Sequence, residues 1–287
     1  MVRAVLLYNP AAGRLPLSER RLKRVREILY IGGITADLIV SDPHRDPSLW
    51  LNLEGRDLLI VYGGDGTLHQ VMPEVVGRGI PVGLLPAGTA NVLARELGIP
   101  ADLERALTVV GRQKRRRICL GQSGPHYFHL MAGVGFDGCV LSNLSLPLKR
   151  RVGIAAYWLA TAIGLLRCPL TRFEMRVDGE SLHGSFAVIS NVSRYGGPLK
   201  VTPFARPEEA SLDVCVLTSC QRWRLVGFVL GVVTGRHLGR PDVLYRKAVR
   251  VELEAGNDVP VQMDGEVIGF GSMQFEVARE GLEVIVP

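Results

Sequence analysis

The chain has 287 residues, of which 47% are hydrophobic, and its 34 Lys and Arg residues outnumber 28 Asp and Glu residues to give a net charge of +6. This composition excludes a disordered or fibrous protein and supports one large domain or two modest ones. Basic runs such as "RRLKRVR" (20–26), "RQKRRR" (112–117) and "LKRR" (148–151) attract anions, although for any single run a solvated surface is the better interpretation.

The five cysteines are scattered and form no CxxC pair, which predicts reduced thiols in a cytoplasm and no zinc site. The N-terminal segment "MVRAVLLYNP" has too short an apolar run for a secretory signal and predicts a first strand. The most apolar stretches, 152–166 and 225–233, fall short of the ~20 residues that span a bilayer. They predict buried helices or helices lining an apolar cleft.

Strands and helices alternate over the first 110 residues. Near-continuous apolar runs predict the strands "VRAVLLYN", "TADLIV", "DLLIVYG" and "IPVGLLP". Helical periodicity predicts helices at 18–31, 45–52, 67–77 and 89–97. This alternation is typical of a parallel sheet covered on both faces, where ligands bind at the carboxyl ends of the strands.

The second half of the chain is predicted to be a β-rich domain. "HYFHLMAGVGFDG" reads as a strand that ends in a glycine turn, and two apolar helices follow at about 138–167. Short β-rich segments punctuated by glycine and proline then predict a sandwich or an irregular barrel, interrupted by one helix at about 222–238. The last segment, "LEVIVP", could close this domain or return to the first.

Three glycine-containing loops follow predicted strands: "NPAAGR" (9–14), "GGDGT" (63–67) and "PAGTAN" (86–91). Glycines let backbone N–H groups approach a ligand, and beside a helix N-terminus that ligand is typically phosphate. The carboxylate of Asp65 would repel phosphate unless Mg²⁺ or a reacting hydroxyl lies between them. Each loop alone could be an ordinary turn or a helix cap, with Thr89 as the capping residue in the third.

The segments "YNPAAG", "VYGGDGTLHQVM", "LLPAGTANVLARELGIP" and "MAGVGFDG" together resemble the diacylglycerol kinase catalytic-domain family, which includes bacterial lipid kinases and sphingosine kinases. The resemblance continues through "NVSRYGGPLKVTPFARPEEASLDV" and "VQMDGE", from about residue 5 to 266. It implies an α/β ATP-binding domain at 1–118 with 279–287 returning to it, a β-sandwich lipid domain at 119–278, and a site in the cleft between them.

The same resemblance implies an ATP site with Mg²⁺ at Asp65 near the transferred phosphoryl group. Ser41 falls where the family commonly has a threonine near the nucleotide. The implied ATP-binding residues are Asn9, Pro10, Gly13, Ser41, Gly63, Gly64, Asp65, Gly66, Thr67, Gly88, Thr89 and Asn91.

The motif "MDGE" contributes Asp264 and Glu266. Spacing alone favours a β-turn, whereas the family resemblance implies that one of the two carboxylates accepts the proton of the attacked hydroxyl. Glu266 is the preferred base and Asp264 the supporting residue. His129 stands where the family commonly has Asn, and a lone His among apolar residues is more often structural.

The chain departs from the family at Glu209-Ala210, where many bacterial members have Asp-Gly and bind a structural Mg²⁺. Glu209, with the backbone carbonyls of Arg206 and Ser211, would be the ligands of this second metal. Glutamate can reach a metal with its longer side chain, but alanine lacks the backbone freedom of glycine. Asp213, nearby, could equally be a solvated residue at a strand edge.

The resemblance implies an ATP-dependent lipid kinase whose substrate is a diacylglycerol-, phosphatidylglycerol- or sphingoid-like lipid. The expected partners are the lipid and an anionic membrane, with no nucleic acid, and a homodimer is left open. The expected location is cytoplasmic, peripheral at the inner face of the membrane. The alternatives are a soluble-substrate kinase of the NAD kinase type and a non-catalytic regulator. The apolar helices could line an acyl-chain groove or pack in the core, and Gly227, Gly231 and Gly235 would allow close approach of a helix or a lipid.

Overall fold

The computed structural model describes residues 1–12, 18–142, 155–197 and 199–287. The chain divides into two compact units. Unit 1 comprises Met1–Ile118 together with Glu280–Pro287, and unit 2 comprises Cys119–Arg279. The last segment of the chain therefore belongs to unit 1.

Unit 1 is built on a six-stranded sheet in the order β2-β1-β3-β4-β18-β5. The first five strands of that order run parallel and β5 is antiparallel to β18, so the predicted parallel sheet is confirmed. Every residue of β3 is buried, as expected for a central strand covered on both faces. The strands are β1 (Val2–Tyr8), β2 (Ile34–Val40), β3 (Leu58–Gly63), β4 (Val82–Pro86), β5 (Arg115–Ile118) and β18 (Leu282–Ile285).

Four α-helices of unit 1 are described: α1 (Glu19–Ile31), α2 (Asp65–Val75), α3 (Val92–Glu96) and α4 (Leu103–Arg112). Helix α2 begins two residues earlier than predicted and α3 begins three residues later, whereas α4 was not predicted. The predicted helix at 45–52 is only a 3₁₀ turn over Pro47–Leu49, which the side chain of Asp46 caps. The basic run 112–117 largely forms β5, an edge strand.

Unit 2 is a sandwich of two six-stranded antiparallel sheets, which decides between the predicted sandwich and barrel. One sheet has the order β10-β9-β14-β17-β6-β7 and the other β13-β12-β11-β8-β15-β16. Their inner faces share one apolar core that includes Phe128, Met175, Ile189, Val261 and Phe275. The strands are β6 (Gly121–Ser123), β7 (His126–Phe128), β8 (Met131–Gly135), β9 (Phe173–Val177), β10 (Glu180–Gly184), β11 (Phe186–Ser190), β12 (Leu212–Leu217), β13 (Val243–Ala248), β14 (Arg250–Glu254), β15 (Pro260–Met263), β16 (Glu266–Phe270) and β17 (Met273–Val277).

The described helices of unit 2 are α5 (Phe136–Ser142), α6 (Ala155–Arg167) and α7 (Arg222–Thr234), with a 3₁₀ turn at His237–Gly239. A disulfide between Cys139 and Cys168 joins α5 to the end of α6. The prediction that all cysteines are reduced is therefore wrong for this pair, because the fold brings together two residues that lie 29 apart in the chain.

The glycines of α7 face the protein. A Cβ at Gly227 would lie 2.6 Å from Nη1 of Arg240, and one at Gly231 would lie 3.0 Å from Cα of His237. Gly235 ends the helix in the left-handed region at φ 71°. At Gly227 and Gly231 the glycine spacing thus lets the 237–240 turn pack against α7.

Within the described residues, no helix is both long and apolar enough to cross a membrane.

Candidate active site

Four loops follow β1, β2, β3 and β4 at the carboxyl edge of the sheet in unit 1. Backbone hydrogen bonds join neighbouring loops to the strand ends: Asn9 N–H donates to Tyr62 O over 3.1 Å, and Ala87 N–H donates to Gly63 O over 2.8 Å. The sheet therefore brings together the three loops that sequence analysis singled out. Such an edge is where ligands bind in open α/β sheets.

The hydroxyl of Thr67 links two of these loops. It is buried and accepts a hydrogen bond from Nδ2 of Asn9 over 2.8 Å and a longer one, 3.4 Å, from Gly64 N–H. A Cβ at Gly63 would lie only 2.4 Å from this hydroxyl oxygen. Glycine is therefore required at 63 so that Thr67 can fold back beneath the loop.

The second and third glycine loops touch backbone to backbone. A Cβ on Gly88 would lie 2.6 Å from Cα of Gly64, which leaves no space for a side chain at 88. The amide of Asn91 closes the loop by accepting from Gly88 N–H and donating to Gly88 O, both over 2.9 Å. Asn91 has φ 45°, and α3 begins after it, so exposed Thr89 lies outside the helix and does not cap it.

Asp65 holds the N-terminus of α3. Its two carboxylate oxygens accept the backbone N–H groups of Val92 over 2.9 Å and Leu93 over 3.2 Å. It lies in the first turn of α2, so one carboxylate connects two helix N-termini that both favour negative charge. A carboxylate has about four lone-pair positions, and two N–H donors leave others available to a metal.

The remaining predicted nucleotide residues lie around these loops. The hydroxyl of Ser41 is buried and, among the described residues, has no hydrogen-bond partner. Gly66 is exposed, and a Cβ there would meet nothing within 4 Å. Pro10 is exposed in the turn after β1, while Gly13 lies outside the described residues. A buried hydroxyl with an unmet hydrogen bond, beside exposed glycine backbone, fits a phosphate-bearing ligand.

In unit 2, Asp264 and Gly265 form the two-residue turn between β15 and β16. Their φ values of 49° and 91° are those of a type I′ hairpin, which favours Asp-Gly. The carboxylate of Asp264 accepts three backbone N–H groups at 2.9 to 3.0 Å, and Oδ2 lies 2.7 Å from Nδ1 of His129. The three donors are His129, Leu130 and Met131.

Glu266 is the first residue of β16 and is exposed. The two carboxylates of "DGE" therefore differ in kind: that of Asp264 is fully buried, and that of Glu266 faces solvent. This difference arises from the left-handed turn, which sends Asp264 inward.

A second buried carboxyl lies next to this turn. Asp137 accepts hydrogen bonds from the Tyr195 hydroxyl and from Nε2 of Gln262, the latter over 2.7 Å. Burial raises the pKa of Asp137 to about 6. Oε1 of Gln262 accepts the N–H of Gly265 over 2.8 Å, so Gln262 connects Asp137 to the "DGE" turn.

The partners of Asp137 were not predicted from the sequence. Asp137 was visible only as part of "GVGFDG", and nothing in the sequence pairs it with Tyr195 or Gln262. Asp137 also requires glycine at 133, because a Cβ there would lie 1.7 Å from Oδ2 of Asp137. His129 is fully buried, with Nδ1 2.7 Å from Oδ2 of Asp264, and its structural role stays a prediction.

Two positively charged side chains of the protein lie at the predicted second metal site. The carboxylate of Glu209 is hydrogen-bonded by Lys247, with Nε of Arg206 at 3.8 Å, and the Lys247 bond lowers the pKa of Glu209. The backbone carbonyl of Arg206 accepts Glu209 N–H over 3.1 Å. Ser211 directly precedes β12. These residues do not fit a Mg²⁺ ion, because a carboxylate paired with an ammonium and a guanidinium has little attraction for a third cation.

Asp213 lies near Lys247 and is buried, contrary to the alternative of a solvated residue. It accepts a hydrogen bond from the Tyr245 hydroxyl, and burial raises its pKa.

The diacylglycerol kinase catalytic-domain model matches residues 3–123, and the model of the YegS C-terminal NAD kinase β-sandwich-like domain matches residues 131–286. A YegS-like lipid kinase of Pseudomonas aeruginosa is 34% identical over 241 residues, covering 81% of this chain and 78% of its own length. The diacylglycerol kinase of Bacillus subtilis is 26% identical, covering 100% and 97%.

Two solved structures have a similar fold. A diacylglycerol kinase from Bacillus anthracis str. Sterne aligns with a TM-score of 0.73 at 18% identity, covering 100% of this chain and 97% of its own. An NAD kinase from Archaeoglobus fulgidus in complex with ATP aligns at 0.57 and 15% identity, covering 99% and 93%. With both domain models matched in order, and with the strand-end loops in place, this chain belongs to the diacylglycerol kinase and YegS-like lipid kinase family.

Proposed function

We propose that this protein is an ATP-dependent lipid kinase that transfers the γ-phosphoryl group of ATP to a hydroxyl of a diacylglycerol-, phosphatidylglycerol- or sphingoid-like membrane lipid. The observation that carries the proposal is the convergence of three glycine loops and Asp65 at one edge of the unit 1 sheet. The family membership and the ATP bound to the related NAD kinase structure support it.

Unit 1 would bind the nucleotide through backbone N–H groups. The loops at 63–67 and 88–91 expose glycine backbone, and the Ser41 hydroxyl supplies a hydrogen bond that no described protein group takes. Asn9 and Thr67 hold the first two loops in register through their 2.8 Å hydrogen bond. A preorganised set of donors of this kind stabilises phosphate charge without rearranging during the reaction.

Asp65 would hold Mg²⁺ with the lone pairs that Val92 and Leu93 leave available. Magnesium is commonly bound by one or two carboxylates together with substrate phosphates, and it neutralises charge on the transferred group. The N–H groups that hold the carboxylate fix its direction before any ligand binds, which reduces the entropy lost on binding.

In the proposed reaction, the lipid hydroxyl oxygen forms a bond to the γ-phosphorus, and the bond from that phosphorus to the β–γ bridging oxygen breaks. ADP leaves with the electron pair of the broken bond. Glu266 would accept the hydroxyl proton, because it is exposed, whereas the carboxylate of Asp264 is occupied by three N–H groups and His129. Asp264 would position Glu266 by fixing the turn.

An NAD kinase-type activity on a soluble acceptor is the second candidate, supported by the related fold of the Archaeoglobus fulgidus enzyme. Apolar side chains on α6 and α7 favour the lipid, because a soluble phosphate-bearing acceptor needs polar contacts in the second unit.

The test is transfer of label from γ-labelled ATP with Mg²⁺ to a panel of micellar lipids. Asp65→Asn is expected to abolish transfer, and Asp102→Asn is its matched control, because Asp102 caps α4 in the same unit by accepting Arg105 N–H over 3.0 Å. Label in one extracted lipid for the parent protein and Asp102→Asn alone supports the proposal. Label in NAD instead, or in no acceptor, contradicts it.

A further inference from the structure

Two helices of unit 2 expose apolar stripes. On α6 the exposed residues are Leu159, Ile163 and Leu166, spaced at i, i+4 and i+7 on one face. On α7 they are Trp223, Val226, Leu230 and Val233, spaced at i, i+3, i+7 and i+10. Leu166, Trp223 and Leu230 are 81%, 65% and 60% exposed, respectively.

The apolar stripe of α6 faces solvent, whereas that of an ordinary surface helix faces the core. From residue 159 to 167, where the side chains of α6 are described, the buried residues are the small Ala160 and Gly164, while Leu159, Ile163 and Leu166 are exposed. A Cβ at Gly164 would lie 2.8 Å from Cγ2 of Val140, so α6 lies close against α5 and cannot rotate its large side chains inward. The outward direction is therefore fixed by packing.

Helix α7 is apolar on both sides. Phe228 is buried on its inner side, with its ring centroid 5.1 Å from that of Phe186 in β11. The outer stripe begins with Trp223, and from Leu225 to Val233 every residue is apolar or glycine. A helix that is apolar all round normally has a partner on each side, and here the described residues supply one on the inner side.

The two stripes belong to neighbouring helices. Nη1 of Arg222, at the start of α7, donates to the backbone carbonyl of Leu165 near the end of α6 over 2.9 Å. The disulfide between Cys139 and Cys168 holds the same end of α6 against α5. Trp223 and Leu166 thus lie on adjacent helix ends, on the side of unit 2 that these helices cover.

The charged residues of these two helices are of one sign. Neither α6 nor α7 contains Asp or Glu, and the arginines that the structure describes in and near them are Arg167, Arg172, Arg222, Arg224, Arg236 and Arg240. The guanidinium of Arg224 lies 4.6 Å from the Trp223 ring centroid. Asp242, the acidic residue that Arg224 and Arg240 contact, is itself buried, so it presents no negative charge at the surface.

We propose that the outer faces of α6 and α7 dock on the surface of a bilayer that contains anionic lipid. Aliphatic side chains and a tryptophan, with arginines and no Asp or Glu in either helix, match the acyl boundary and the negative headgroups of such a surface. A second copy of this chain is disfavoured on the same face, because like charges would meet. The proposal deepens the proposed function, since docking would present unit 2 to its lipid substrate, but vesicle binding does not require catalysis.

The test is sedimentation of the whole protein with phosphatidylcholine vesicles, with and without phosphatidylglycerol. We expect binding only with phosphatidylglycerol, and Leu166→Glu combined with Leu230→Glu is expected to reduce it by on the order of tenfold or more. Ile31→Glu is the matched control, because Ile31 on α1 is also 81% exposed and undergoes the same change. Equal binding by the double variant and the parent protein would overturn the proposal.

Two further readouts keep the outcomes separate. In a Trp50→Phe, Trp158→Phe background, Trp223 fluorescence is expected to shift to the blue with phosphatidylglycerol vesicles, and no shift contradicts docking.

The second measurement is the oligomeric state. If the protein sediments as a dimer and Leu166→Glu dissociates it, this face is a contact between copies and the membrane proposal is overturned. A parent protein that binds vesicles through this face without any kinase activity would retain the docking proposal and refute only the proposed function.

Discussion

The amide of Gln262 donates to the carboxylate of Asp137 over 2.7 Å inside the β-sandwich unit, and the same side chain accepts the N–H of Gly265 through its other end. The direction of both bonds follows from the backbone N–H, because Gln262 must present its oxygen to Gly265 and its nitrogen to Asp137. These two hydrogen bonds connect the buried carboxyl of Asp137 to the turn that carries Glu266, the proposed base.

Asp137 makes stability depend on pH. Its pKa of about 6 in the folded protein lies above the ordinary 3.8, so the folded state binds a proton more tightly than the unfolded state does. This contribution is therefore present at low pH and is lost as the pH rises from about 4 to 6, by roughly 1.4 kcal/mol per unit. Asp137→Asn removes the titration and can keep both hydrogen bonds. Its free energy of unfolding, minus that of the parent protein, should increase across this range, and a flat difference would contradict the argument.

Glu266 and Asp264 should respond differently to removal of their charge. Glu266→Gln alters an exposed group, so we expect the free energy of unfolding to change by no more than ~0.5 kcal/mol while turnover falls at least a hundredfold, on the order of a lost general base. Asp264→Asn should destabilise the protein by roughly 2–4 kcal/mol, because three N–H groups and His129 lose a charged acceptor. Denaturant unfolding and labelled-phosphate transfer measure the two effects. Full turnover in Glu266→Gln would exclude it as the base.

The contact between Gly64 and Gly88 predicts the effect of one added methyl group. Gly88→Ala places a Cβ 2.6 Å from Cα of Gly64, so the two loops must separate. We expect weaker binding of ATP and a loss of roughly 1–3 kcal/mol in stability. Gly111→Ala in α4 is the control, since a Cβ there meets nothing within 4 Å and alanine favours a helix by about 1 kcal/mol. Isothermal titration calorimetry should show weaker ATP binding for Gly88→Ala than for Gly111→Ala. Equal affinities of the two variants would contradict the contact.

Because Lys247 and Arg206 lie beside the carboxylate of Glu209, we predict that no divalent ion stabilises the region around Glu209. A chelator should leave the melting temperature of the nucleotide-free protein unchanged, because the positive charge beside Glu209 is covalently part of the chain. Lys247→Met, which removes that ammonium, is the informative variant: added Mg²⁺ should then raise its melting temperature more than that of the parent. A large fall in the parent's melting temperature with chelator would show that a metal is bound there after all.

The Cys139–Cys168 disulfide predicts three titratable thiols in the unfolded, unreduced protein, belonging to Cys119, Cys215 and Cys220. Replacing Cys139 and Cys168 by serine together should lower the free energy of unfolding by roughly 3 kcal/mol under non-reducing conditions, from the constraint on a loop of 29 residues. Cys220→Ser, an exposed thiol, is the control. Five thiols in the parent protein would refute the bond.

The parallel sheet and the position of the phosphate-type loops could be predicted from the sequence alone. A short apolar run such as "DLLIVYG" bounded by glycine is typical of a strand buried on both faces, and glycine after such a strand lets the backbone approach a ligand or a second loop closely. The predicted ends of the helices were less accurate. Helix α3 begins at Val92 because Asp65, 27 residues away in the chain, supplies the cap that the local residues do not.

Which polar residues are buried, and which partners they contact, became clear from the folded chain and not from the sequence. Asp264 and Glu266 look alike in "MDGE", but a left-handed turn places one among three N–H groups and exposes the other. The disulfide, the Asp137–Gln262 bond and the pairing of Glu209 with Lys247 likewise join residues from distant strands and helices. Local sequence encodes backbone preference, whereas burial and charge pairing depend on neighbours that only the folded chain brings together.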